Sequence, residues 1–127
     1  MKPPLQAEHQ PRADEVVAKA LVRAAQRLDL PQSDVAAILG TSTASISRTF
    51  AGARPIAPDS AEGRHALLLV RLFRSLDTLV GGDEEKARRW LDAANSHLGG
   101  QAPRALLAST PGLVRVAEYL DAMRGTL

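Results

Sequence analysis

The chain has 127 residues, 45% of them hydrophobic but only 3% aromatic, with no cysteine and a formal net charge of +2. A core built from Leu, Val, Ile and Ala suits packed helices better than a β-sandwich. Without cysteine there are no disulfides, thiolate zinc sites or cysteine nucleophiles, as a reducing cytoplasm permits, and the mild cationic excess allows nucleic-acid binding without requiring it.

Residues 1–12 are polar, contain Pro3, Pro4 and Pro11, and read as a flexible tail. They lack the apolar stretch of a signal peptide. The longest uncharged apolar run, Ala66 to Val70, is far too short to span a membrane. A cytoplasmic protein without membrane association is expected.

A helical pattern starts near Ala13, with Val17, Ala20, Leu21, Ala24 and Leu28 recurring at three- and four-residue steps. Asp14 and Glu15 complement the exposed N–H groups of its first turn, and Pro31 stops it. Ser33 is the expected N-cap of a second, short helix and Gly40 its terminator. Thr41 or Ser42 then caps a third helix reaching about Phe50. Gly52, Pro55 and Pro58 make residues 51–58 a linker between two modules.

A long helix follows from Asp59 or Ser60 to Val80. Leu67, Leu68, Leu69, Val70, Leu72, Phe73, Leu76, Leu79 and Val80 cover most of its circumference, leaving a stripe of Arg71, Arg74 and Asp77. Such a helix is central to its module or part of a subunit interface. Gly81-Gly82 breaks it, and Asp83 caps a helix reaching Ala94 that holds the i,i+4 pairs Glu84–Arg88 and Glu85–Arg89. Residues 95–102 read as a loop. Pro103 opens a short helix to about Ala108, and Ser109 or Thr110 caps a last one that fades near Arg124. The expected fold is all-α: a tail (1–12), a helix-turn-helix domain with its linker (13–58), and a second helical module with an apolar helix suited to dimerisation (59–127).

Gln32 to Phe50, QSDVAAILGTSTASISRTF, carries the strongest motif. Two helices joined by a tight turn need a small residue where they pack closest and a glycine for the left-handed turn. Ala36 and Gly40 fill those needs, and Ile46 supplies a β-branched residue on the inner face of the second helix. A plain helical hairpin is the competing reading. The Gln-x3-Ala-x3-Gly-x5-Ile spacing resembles the phage-repressor (Xre/Cro) helix-turn-helix. The resemblance implies that Ser42, Thr43, Ala44, Ser47 and Arg48 face base edges in the major groove, and that Gln32, Ser33 and Arg54 contact phosphates.

Ala87-Arg88-Arg89-Trp90-Leu91, then Leu98-Gly99-Gly100, then Pro103 and Leu106-Leu107, form an ordered set. It resembles the toxin-binding domain of the Xre/MbcA/ParS antitoxins. This likeness implies a type II antitoxin that partners a RES-domain toxin, an enzyme that attacks NAD or uses it to modify a target, and that represses its own operon. Relatives often carry Asn-Pro where this chain has Asn95-Ser96-His97-Leu98.

The toxin-facing residues expected on that basis are Asn95, His97, Leu98, Gly99, Gly100 and Gln101 in the loop, with Arg115, Tyr119, Met123 and Arg124 on the last helix. Glu118 and Asp121 lie beside the latter group. Gly99 and Gly100 serve backbone geometry. Trp90 is expected in the core or a dimer interface. His9, His65 and His97 are too scattered for a metal or a triad, and no nucleophile, phosphate loop or cofactor fingerprint is present. Neither enzymatic activity nor a cofactor is expected. The partners are a toxin, operator DNA and a second copy of the chain. An alternative is a stand-alone helix-turn-helix repressor whose C-terminal module dimerises it.

Overall fold

A computed structural model describes residues 12–126, so the expected tail up to Pro11, with His9, lies outside the described residues. Helix α1 (Ala13–Arg27) carries Asp14 and Glu15 in its first turn and buries Val17, Leu21, Ala24 and Ala25. Leu28 closes it, and Asp29 turns the chain at φ 56°. Helix α2 (Gln32–Leu39) starts directly after Pro31, whose extended backbone makes it the N-cap. Ser33, the expected cap, therefore lies inside the helix and is exposed. Gly40 ends α2 at φ 71°, and the Thr41 N–H returns to the Ala36 carbonyl at 3.0 Å. Ser42 then caps α3 (Thr43–Phe50), accepting from the Ser45 N–H at 3.0 Å.

Helix α4 (Ala61–Leu79) resolves the ambiguity of its apolar excess. It packs against α1 and α2 and also against the final helix, α7 (Thr110–Arg124). Leu69, Leu72 and Leu76 are buried between these neighbours, each contributing about 1.5–3 kcal/mol through burial. Most of the apolar surface is consumed within the chain, leaving Leu67 as its exposed large hydrophobe. One core cluster joins Leu21, Leu39 and Ile46 to Leu91, Leu113 and Leu120. The expected linker is pinned to that body: Ile56 is buried, and its N–H donates to the Asp14 carbonyl at 3.1 Å.

Helix α5 (Glu84–Asp92) is capped by Asp83 and stops before Ala94, because Ala93 is extended. Glu84 pairs with Arg88 at 3.0 Å and with Arg27 of α1 at 2.9 Å. Asp92 meets Arg104 of the short α6 (Pro103–Leu106) at 2.6 Å.

Asp121 clamps α7 to α4, accepting from the buried Ser75 hydroxyl at 2.6 Å and pairing with Arg71. The Ser75 hydrogen bond and, after it, Arg71 hold this carboxyl below its ordinary range, against the opposing effect of burial. A depressed carboxylate stabilises the fold above its unfolded pKa and loses that contribution as pH falls through the folded value. Asp121→Asn should therefore lower stability at pH 7. Urea melts should show the deficit shrinking below the ordinary aspartate pKa of about 3.9. A deficit of constant size across that range would assign the effect to packing rather than charge.

Candidate functional site

Ile46 and Ala36 are buried where α2 and α3 meet, and this fixes which face of α3 is left free. That face presents Thr43, Ala44, Ser47 and Arg48, all exposed. Among the described residues the Arg48 side chain reaches only the Ser45 hydroxyl, at 3.4 Å, which leaves its guanidinium suited to a bidentate contact to guanine. Ser42 is exposed, but its oxygen is committed to capping. Gln32 is half-buried at the first position of α2, beside exposed Ser33, where unpaired helix N–H groups favour phosphate.

Arg54 departs from the expected phosphate contact. Both its terminal nitrogens bind Glu62, at 2.8 and 2.7 Å, and one also reaches the Thr49 hydroxyl at 3.2 Å. Its side chain is only 25% exposed. The Glu62 hydrogen bonds hold the guanidinium pKa above its ordinary value, outweighing burial. An arginine so engaged is an internal tie.

The second surface is built around residues 95–101. Asn95 and Gln101 form an antiparallel bridge, and the Asn95 carbonyl accepts from the Leu98 and Gly100 N–H groups at 3.0 and 2.9 Å. The Asn95 side chain accepts from the His97 N–H at 2.9 Å, opening a 3-10 turn over Ser96–Leu98. Gly99 and Gly100 close the loop at φ 73° and 80°. The turn holds His97 outward and Leu98 inward. Leu98 is only 1% exposed, in the core cluster with Leu91 and Leu107, so it cannot be a partner contact as expected.

Arg115, Tyr119 and Met123 follow one another at four-residue steps and share a face of α7. Tyr119 stacks with two rings, that of His97 at 5.7 Å between centroids and that of Trp90 of α5 at 6.3 Å. Arg115 donates to the His97 carbonyl at 3.5 Å, bordering the rings with a cation. Trp90, expected in the core or a dimer interface, is half-buried against the core and joins the loop and α7 in this stack. Arg124 is exposed at the end of the helix and Glu118 along it, whereas Asp121 turns inward.

His65 bonds the Ala61 carbonyl and the Thr110 hydroxyl, each at 2.7 Å, and so ties α4 to α7. Among the described residues, no cluster of His, Cys, Asp or Glu could hold a metal ion, and no helix is long and apolar enough to cross a membrane.

These features define an all-helical protein that joins a helix-turn-helix to a second helical module through one central helix. Residues 7–71 match the family model of the antitoxin Xre-like helix-turn-helix domain. Residues 75–125 match that of the antitoxin Xre/MbcA/ParS C-terminal toxin-binding domain, so the two matches meet within α4. The chain belongs to the Xre-like helix-turn-helix antitoxin family, and the two domains together support a type II antitoxin. No individual curated protein matches the chain.

Proposed function

We propose that this antitoxin neutralises a RES-domain toxin by direct binding and represses its own operon as a homodimer. The observation that carries the first half is the Trp90–Tyr119–His97 stack, bordered by Arg115 and lying within the segment matched to the toxin-binding domain. Aromatic rings already fixed against one another offer contact area at little entropic cost. Asn95, Gly99, Gly100 and Gln101 hold the loop in shape, while Met123 and Arg124 extend the surface along α7. For DNA, Thr43, Ala44, Ser47 and Arg48 would read bases from a helix that Ser42 caps, with Gln32 and Ser33 toward the backbone. Exposed Val16 and Leu67 supply apolar surface for pairing two copies, as two half-sites about 34 Å apart require.

Co-expression with a RES-domain toxin encoded beside this gene should restore growth. Arg48→Ala should weaken operator binding by about 1–3 kcal/mol in a mobility shift, and leave rescue intact. Failure of the wild-type chain to rescue would overturn the toxin assignment; an unchanged shift for Arg48→Ala would overturn the docking of α3.

A further inference from the structure

The geometry points to Arg54, Glu62 and Thr49 as positioning residues that set the angle of the DNA-reading helix, an inference that rests on the operator-binding reading. The three residues come from three segments: Thr49 from the last turn of α3, Arg54 from residues 51–58, and Glu62 from the first turn of α4. Arg54 grips the Glu62 carboxylate with both terminal nitrogens and the Thr49 hydroxyl with one of them. Thr49 passes the contact on, donating to the Ser45 carbonyl at 3.1 Å within α3. A continuous chain of hydrogen bonds therefore runs from α4 into the middle of α3.

Its surroundings make it consequential. Thr49 is 3% exposed, and the Arg54 and Glu62 side chains 25% and 18%. Charge-assisted bidentate pairs in such partly dry settings fix orientation as well as adding energy. The segment they clamp is short and holds Gly52 at φ 80°, so without the clamp the angle of α3 would rest on apolar packing alone, through Ile46 and Phe50, and on the pinned Ile56. Base contacts demand placement to within about 0.5 Å. The Glu62 carboxylate would itself repel DNA if it lay free; paired to Arg54, it serves the reading helix from behind.

Two readouts test this. The first is binding of the full chain to a duplex carrying the DNA upstream of its own gene, measured from about 50 to 200 mM salt. Glu62→Gln and Arg54→Gln should each weaken binding about tenfold with an unchanged salt slope, and the double variant should bind no worse than either single one. If Arg54 instead touches phosphate, Glu62→Gln binds as tightly as the wild type or tighter, and Arg54→Gln flattens the slope by about one. Either result overturns the inference.

The second readout needs no DNA. The Ala51, Gly52 and Ala53 N–H groups bond to Ser47, Thr49 and Arg48 carbonyls, at 3.0, 3.0 and 2.9 Å. Their hydrogen exchange should quicken in Glu62→Gln and in Thr49→Val, and stay slow in Thr49→Ser, which keeps the hydroxyl. Unchanged exchange in Glu62→Gln overturns the inference whatever the DNA result. A wild-type chain that does not bind the duplex overturns the operator reading alone.

Discussion

Gly63→Ala and Gly112→Ala are each expected to lower the unfolding free energy by about 3 kcal/mol, and the melting temperature by about 10 °C. Both glycines stand three residues after the serine that caps their helix. Ser60 accepts from the Gly63 N–H at 2.9 Å, and Ser109 from the Gly112 N–H at 3.1 Å. In both places the preceding chain folds back onto the helix start. A Cβ on Gly63 would lie 1.9 Å from the Ala57 carbonyl oxygen, and one on Gly112 would lie 2.0 Å from that of Leu106. The nearest obstructing atoms are backbone in both places, so no side chain can swing aside to relieve them. Relief would require residues 57–58 or 106–109 to withdraw, which pulls Ile56 and Leu107 out of the core. Gly125→Ala is the control, since its added carbon would meet only ordinary contacts at 3.5 Å. Thermal melts followed by circular dichroism check all three. A Gly63→Ala protein that melts with the wild type would show that the 57–58 loop retreats freely.

The helix-turn-helix was legible because its determinants are local. Gly40 must take positive φ, Ser42 offers a capping oxygen, and Ala36 and Ile46 fall at fixed steps from that turn. Leu98, in contrast, is not legible from its neighbours, because a Leu-Gly-Gly loop does not show which way its leucine points. Burial of that side chain is decided by the core cluster it joins, whose members, Leu91 and Leu107 among them, come from elsewhere in the chain. Arg54 looked free because its carboxylate partner stands beyond the prolines of the linker, at Glu62. Trp90, Tyr119 and His97 are brought together only when α5 and α7 dock. Period alone could not say whether the apolar excess of α4 faces a second copy or the chain itself; the observed packing uses most of it internally. One missed signal was present: Ser60-Ala61-Glu62-Gly63 and Ser109-Thr110-Pro111-Gly112 repeat a Ser-x-x-Gly pattern at two helix starts.

Tyr119→Ala is expected to weaken binding of the cognate toxin at least about thirtyfold, some 2 kcal/mol, as loss of a central aromatic contact does. Tyr119 stacks with both other rings, so truncating it removes a partner from His97 and from Trp90 as well. Arg115, one turn earlier, would lose the apolar surface beside its contact with the His97 carbonyl. Tyr119→Phe keeps the stack and should bind within a few-fold of the wild type, since the phenol can contribute only about 1 kcal/mol through a hydrogen bond. Arg124→Ala, at the end of the helix, should matter little, as rim charges do. Leu98→Ala separates folding from binding. It should cost about 2–5 kcal/mol of stability by opening the core, and whatever remains folded should still titrate toxin. Calorimetric titration of purified toxin into each variant, beside its thermal melt, gives both quantities. Tyr119→Ala that melts near the wild type and binds toxin equally well would move the toxin contact off this face of α7. Loss of affinity in Tyr119→Ala without loss of operator binding would place the two activities on separate surfaces around one shared core.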